Sequence, residues 1–398
     1  MKKILFIYPS MILGGSTTSL LSLLNLLPKN KYSIDLQLYE NNGVLIDEIP
    51  AHVNLLPQAN AYKGKYGKIK KILKFISSGY VFKAIKINFI NGKIKLFSNG
   101  KIADFQAKIL SRKIFTEYDY AVGYLEGWSD RFLAFSVCAK KKYGWIHSTF
   151  KNVTDYPEEE VPWMSAVDKI IFVTDSCCDA FKRDMPRLAN KTITIENIID
   201  SAILRDRSRA IDITDKAYEL FISAKVFRIV TVCRLTIRVK GLDRIVSSAK
   251  ELKSTRNKFL WYIIGDGPDR QEVKTMIEKA DIVDCVRLIG KRMNPYPFIA
   301  VADIMCMPSR YEGKPMSVTE SLILGTPVVV TNYLSATSQI RNGVDGIVVQ
   351  NTDSAIIPVL EKCINDPQSV STMKENLKKM DYGNAGYIES VEKLLFQN

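Results

Sequence analysis

The sequence predicts an α/β protein made of two Rossmann-like parallel-sheet domains facing a central cleft. Three observations lead there. The chain has 398 residues, and at about 100–200 residues per domain this gives two domains, each able to bury a core. Short continuous apolar runs alternate with helical patterns along the whole chain, as parallel strands covered on both faces require. The alternation is interrupted at the charged, weakly patterned stretch Asp200–Lys225 and then restarts, which places a linker there. Composition agrees: 46% apolar and 25% charged residues exclude a disordered chain.

The elements follow in order. Met1-Lys2-Lys3 before Ile4–Tyr8 imitates a secretion signal. Pro9 and Gly14-Gly15 break the apolar run and no small-residue cleavage site follows, so Ile4–Tyr8 reads as the first buried strand. Further strands of the first domain are read at Asp35–Tyr39, Val53–Leu55, Tyr118–Val122, Tyr143–Ile146, Lys169–Val173 and Thr192–Ile195. After the linker come strands at Arg228–Val232, Leu260–Ile264, Val286–Ile289, Ile304–Met307, Val328–Thr331 and Gly346–Gln350. Helices are read between them at Leu242–Lys253, Arg270–Lys279, near Pro295–Val301 and at Met316–Leu324. The expected domains are residues 1–205, 206–380 and a terminal helix within 381–398 that crosses back onto the first domain. No uninterrupted apolar run approaches the ~20 residues of a membrane-spanning helix.

The seven cysteines are odd in number and lack metal-ligand spacing. A reduced, cytoplasmic thiol set is the expectation, with no zinc site. Only two histidines occur, His52 and His147, so a mechanism needing a histidine cluster is excluded.

The net charge of +14 is concentrated in one place. Between Lys63 and Lys113 there are thirteen lysines and Arg112 against Asp104 alone, a local charge of +13. Within this insertion Ile69, Ile72, Leu73 and Ile76 recur at helical spacing, with Lys68, Lys70, Lys71 and Lys74 between them. Ile102, Phe105, Ile109 and Leu110 form a second such set. An amphipathic helix with a cationic face suits an anionic membrane surface; the plainer reading is a solvated helix face. Nucleic acid is disfavoured, because the interleaved residues are aliphatic and no stacking pattern is present.

Three groups of residues carry chemistry. Gly14-Gly15 lies between the first strand and a helix opening at Ser16-Thr17-Thr18-Ser19, whose hydroxyls suit an N-cap; it is either a phosphate-approaching turn or a generic one. Arg234 ends the first strand of the second domain and Lys240-Gly241 opens the next helix. Two cations at a strand's carboxyl end can clamp a diphosphate, with Arg238 able to replace either; solvated loop cations are the alternative. The third group, Glu312-Gly313-Lys314-Pro315-Met316-Ser317-Val318-Thr319-Glu320, puts two carboxylates and a helix N-terminus where hydroxyls and phosphate of one ligand can be met.

Together these motifs resemble the family-4 retaining glycosyltransferases of GT-B fold. The resemblance rests on Cys233-Arg234-Leu235 with Lys240-Gly241-Leu242, Ile264-Gly265-Asp266-Gly267-Pro268, Leu288-Ile289-Gly290, and Glu312 with seven residues before Glu320. Over the first domain it is looser, carried by Gly14-Gly15, Trp145-Ile146-His147 and Ile195-Glu196-Asn197. It implies that Arg234 and Lys240 hold the diphosphate of a nucleotide-sugar, that Glu312 meets the sugar hydroxyls and that Glu320 meets the ribose. Pro315, Met316 and Ser317 would contact phosphate or sugar through their backbone, Lys291 and Arg292 would border the base, and Gly15 would approach the β-phosphate. His147 would lie near the donor sugar or serve as a buried structural residue. The Lys314-Pro315-Met316 stretch resembles a subgroup of bacterial surface-polysaccharide enzymes acting in capsule or lipopolysaccharide synthesis.

The activity so implied is retaining transfer from a nucleotide-diphosphate sugar, a UDP-sugar, to a hydroxyl of a glycan or lipid-linked acceptor. It needs no metal and no cofactor, and its setting is the cytoplasmic face of the cell membrane. A nucleotide-sugar epimerase of similar architecture and a non-catalytic partner of another transferase are the competing readings.

Overall fold

A computed structural model describes residues 1–61, 88–90, 93–95, 99–150, 154 and 157–396. Two parallel-strand sheets with covering helices form, as the apolar runs require. The chain divides into Met1–Asn197 with Tyr387–Asn398, and Ile198–Gly386.

In the first unit the sheet order is β3-β2-β1-β6-β7-β8-β9. Its central strands are β1 (Lys2–Tyr8), β6 (Glu117–Gly123) and β7 (Cys138–Ile146), flanked by β2 (Tyr32–Leu38), β3 (Val53–Leu55), β8 (Lys169–Phe172) and β9 (Thr192–Thr194). All neighbours pair in parallel, for example Phe6 with Leu36 on one side and Val122 on the other. Ile4 through Ile7 are fully buried, which is why this run has no alternation. A separate hairpin of β4 (Asn88–Ile90) and β5 (Lys93–Lys95) is antiparallel.

The basic helix read around Lys68, Lys70, Lys71 and Lys74 lies outside the described residues. Of the second apolar set, Phe105 and Leu110 are buried within the first unit. The helix Asn99–Phe105 passes into a wider π turn at Gln106–Leu110, and Arg131, 1% exposed, ties it down by an ion pair to Asp104 at 2.7 Å.

The second unit has the order β12-β11-β10-β13-β14-β15. Here β10 is Phe227–Val232, β11 Phe259–Ile264, β12 Val286–Gly290, β13 Ile304–Met307, β14 Val328–Thr331 and β15 Gly346–Val349. Every residue of β11 is buried. Each sheet reverses its strand order beside its first strand, between β1 and β6 and between β10 and β13. Ligands of open α/β sheets bind outside the carboxyl ends of the strands at such points.

The expected linker is not structureless. Asp200–Lys225 holds two helices, Ser201–Arg209 and Lys216–Ser223, capped by Asp200 and Asp215. Leu204, Tyr218 and Phe221 join the core of the second unit, with Phe221 stacked on Tyr262 at 4.5 Å. Three buried residues on two short helices are too few to show periodicity amid the surrounding charge, so the pattern fades where the structure persists.

The terminal helix Ile388–Phe396 belongs to the first unit. Tyr120 and Lys2 donate to the Phe396 carbonyl at 2.6 and 3.0 Å, and Tyr143 donates to that of Leu395 at 2.7 Å. Donors thus satisfy carbonyls that a helix end leaves unpaired.

Candidate functional site

In the second unit three glycine-bearing turns are strapped together at the strand ends. The Cys233 N–H donates to Ile264 O, Leu235 N–H to Asp266 O and Gly265 N–H to Gly290 O, all at 3.0 Å. Gly265 sits at φ +147°, and a Cβ there would lie 1.9 Å from Cys233 O. Gly267 would meet Leu235 O at 2.4 Å. These glycines are therefore required by close backbone approach.

Lys240 and Glu312 meet above β10 and β13. Lys240 ends the short helix Ile237–Lys240 and donates to Glu312 Oε1 at 2.5 Å. The two side chains are 18% and 10% exposed. The same oxygen accepts from Ser309 Oγ at 2.7 Å, and the Thr331 hydroxyl holds the Ser309 carbonyl. Two further ties fix the loop: Arg310 N–H donates to Val239 O of that helix at 2.8 Å, and the Arg310 guanidinium grips Asp243 of the following helix, Leu242–Ser254, at 2.8 and 2.7 Å. Gly241, at φ +64°, lets the chain turn under Pro308 O, which a Cβ would approach to 2.1 Å. Burial pushes the neighbouring Cys233 thiol up to about 12.

The helix Met316–Ile323 begins immediately beyond, with Pro315 before it and no side-chain cap. Its first N–H groups have no intrahelical acceptor, and the dipole adds partial positive charge there. Pro315 and Met316 are buried and Ser317 is half-buried. Gln339 Nε2 holds the Pro315 carbonyl at 3.0 Å.

Among the described residues no hydrogen bond groups Glu320 with Glu312. Glu320 is 6% exposed and accepts from the Tyr296 hydroxyl at 3.3 Å. Burial pushes its carboxyl up to about 7, opposed by Tyr296 and by the charge of Arg207. Arg292 is engaged with Asp215 at 2.7 Å and with the Ile289 carbonyl. Arg234 and Lys291 are exposed.

In the first unit the glycine turn leads into the helix Gly15–Leu26, but its cap differs from the expectation. Gly14 holds the N-cap position without a side-chain bond. The Ser16 and Thr17 hydroxyls instead meet the Tyr8 hydroxyl at 2.7 and 3.0 Å, because Tyr8, at the end of β1, points at the first turn. Ser19 Oγ reaches the Tyr124 hydroxyl at 2.7 Å and Asn197 Oδ1 at 3.1 Å.

His147 follows the last residue of β7, with its ring 5.0 Å from that of Tyr124 and 6.2 Å from that of Trp145. Neither ring nitrogen has a hydrogen-bond partner among the described residues. Burial lowers its pKa. The charge of Glu126 acts in the opposite direction, as does the backbone of Tyr124. Sequence reasoning missed Glu126, Ser309, Arg310 and Tyr296. Ser309-Arg310 stands beside the Glu312 motif, whereas Glu126 and Tyr296 reach their partners only through the fold.

Comparisons with known proteins agree with this picture. Residues 213–380 match the family model described as glycosyl transferases group 1. An uncharacterized glycosyltransferase of Haemophilus influenzae is 27% identical over 162 residues, covering 39% of this chain and 45% of that protein. The amylovoran biosynthesis glycosyltransferase AmsK of Erwinia amylovora is 30% identical over 141 residues, or 33% of this chain and 34% of its own length. The chain thus spans less than half the length of either relative. Across the whole chain, the Anabaena protein HepE solved with UDP-glucose superimposes with a TM-score of 0.70 at 15% identity, covering 100% of both chains; this likeness shows the fold. The fold expected from the motifs is therefore borne out: the protein has the GT-B fold, and its residues 213–380 match the glycosyl transferases group 1 model.

Proposed function

We propose that the protein transfers a sugar from a UDP-sugar to a hydroxyl of a glycan or lipid-linked acceptor, with retention at the anomeric carbon, in bacterial surface-polysaccharide synthesis. The observation that carries the reading is the Lys240–Glu312 pair, set at the strand-order reversal of the second unit next to the uncapped helix at Met316. The name of the amylovoran relative supports the polysaccharide setting, and the UDP-glucose bound by HepE supports the donor class.

In this reading Arg234, Lys240 and the N–H groups of Met316 and Ser317 receive the diphosphate. As the bond from the anomeric carbon to the phosphate oxygen breaks, charge builds on that oxygen, and preorganised donors stabilise it without a metal. The acceptor oxygen forms the new bond to carbon and passes its proton to the departing phosphate. Glu312 orients the sugar hydroxyls and Glu320 accepts from the ribose. Lys291 and Arg292 border the base, Gly15 serves the β-phosphate and His147 the sugar. Lys68, Lys70, Lys71 and Lys74 hold the protein to the anionic inner face of the membrane, where a lipid-linked acceptor is available.

A thermal-shift screen against UDP-, GDP- and ADP-sugars tests the donor, and NMR of the product distinguishes transfer from epimerisation. Lys240→Ala and Glu312→Ala are each expected to lower turnover about 100-fold or more, the scale of losing one charge-stabilising donor. Near-normal turnover in either overturns the assignment.

A further inference from the structure

We propose that Glu126 is a positioning residue for His147: its two carboxylate oxygens hold the chain on both sides of the His147 side chain and set the imidazole at the carboxyl end of β7. This deepens the reading in which His147 acts in transfer, and rests on it.

The geometry begins at the strand-order reversal of the first unit. After β6 the chain turns through Tyr124, Leu125 and Glu126 to Gly127, whose φ of +100° lies in the region that favours glycine. The turn is pinned. Tyr124 N–H donates to Ile7 O at 3.0 Å, its hydroxyl pairs with Ser19, and its ring lies 4.6 Å from that of Trp145. From this anchor Glu126 Oε2 accepts the His147 N–H at 2.9 Å, and Oε1 accepts the Ser148 hydroxyl at 2.8 Å.

Such bonds have a specific consequence. β7 pairs with β8 only as far as Ile146 with Phe172, so the residue after it has left the ladder. Glu126 supplies the missing acceptor. A histidine kept for structure alone normally satisfies its ring by hydrogen bonding. Here the backbone is held by a charge-assisted bond while both ring nitrogens lack a partner among the described residues. The fold fixes where the imidazole is and keeps both of its nitrogens buried without meeting their hydrogen-bonding capacity from the described residues.

Charge points the same way. Glu126 opposes the loss of basicity that burial imposes on His147. Glu126 also acts on Tyr8, Asp130 and Cys177, and burial pushes each of them toward its neutral form.

The two histidines of the chain make the test direct. In the full-length protein, imidazole NMR titrations of wild type, Glu126→Gln and Glu126→Asp are compared, with His52 as the internal control. Glu126→Gln should lower the His147 midpoint by about one unit or more, the scale of removing a nearby opposite charge, while His52 stays put. It should also lower kcat about tenfold with little change in donor KM. Glu126→Asp keeps the charge and should restore part of both, and it serves if the glutamine variant folds poorly. In a His147→Ala background, Glu126→Gln should cost nothing further. Full transfer by His147→Ala overturns the parent reading and this one with it. A large loss in His147→Ala beside an unmoved His147 titration and unchanged kcat in Glu126→Gln overturns the positioning role alone.

Discussion

Glu320 offers a quantitative test, because its environment makes the stability of the protein depend on pH in a calculable direction. Its carboxyl is 6% exposed, has one hydrogen bond at 3.3 Å, and is pushed from 4.5 to about 7 by burial. The unfolded chain releases this proton near 4.5 and the folded chain near 7. Between those values the folded state binds more protons, so this group's contribution to stability falls as pH rises and then levels off above 7. A shift of that size corresponds to about 3 kcal/mol at 1.36 kcal/mol per unit. Glu320→Gln keeps the shape and an acceptor for Tyr296 but does not titrate. The variant should gain on wild type by about 3 kcal/mol between pH 4.5 and 7.5, read as the difference of unfolding free energies from denaturant titrations at several pH values. A gap between variant and wild type that is the same at both ends would refute the argument that burial governs this carboxyl. A gap that narrows with rising pH would reverse it.

Two further outcomes follow from the chain. Gly241→Ala must hold a side chain at φ +64° and 2.1 Å from Pro308 O; it should destabilise the protein by about 1–3 kcal/mol in thermal unfolding, and weaken donor binding by shifting Lys240. Replacing Lys68, Lys70, Lys71 and Lys74 together by glutamate should abolish co-sedimentation with anionic liposomes at moderate salt, since each basic residue near such a surface contributes about 1 kcal/mol. Unaltered binding would assign membrane contact to other residues.

The sheets were legible because their strands are continuous buried runs bounded by turns. Ile304–Met307 and Val328–Thr331 were read with the observed ends, and Ile4–Tyr8 was short by two residues, Lys2 and Lys3, which are exposed yet paired in the ladder. Where burial is sparse, legibility fails, as in the helices flanking Asp212. The site divides similarly. Lys240 and Glu312 are 72 positions apart and only a motif joins them in sequence, whereas no local signal links Arg292 to Asp215, 77 positions away. Local rules favour Ser16 and Thr17 as caps, but Tyr8 competes for their hydroxyls from the preceding strand. Partnerships between distant residues are set by topology, which a local pattern does not contain.

That Lys240 and Glu312 satisfy each other bears on what the proposed site selects. Both are largely buried, at 18% and 10% exposure, and breaking such a pair by removing one partner leaves an uncompensated charge whose cost runs to several kcal/mol. A ligand that draws Lys240 to a diphosphate must therefore give Glu312 something in return. A nucleotide-sugar can do so, since its hydroxyls donate to the carboxylate while its phosphates accept from the ammonium. A nucleotide diphosphate alone supplies only the second half, leaving Glu312 with Ser309. In the proposed function the pair thus penalises ligands without a sugar more than those with one, by the same logic through which buried polar groups reject analogues that leave them unpaired. In the proposed function the pair also favours product release, because loss of the sugar lets the Lys240–Glu312 bond re-form and compete with the departing diphosphate.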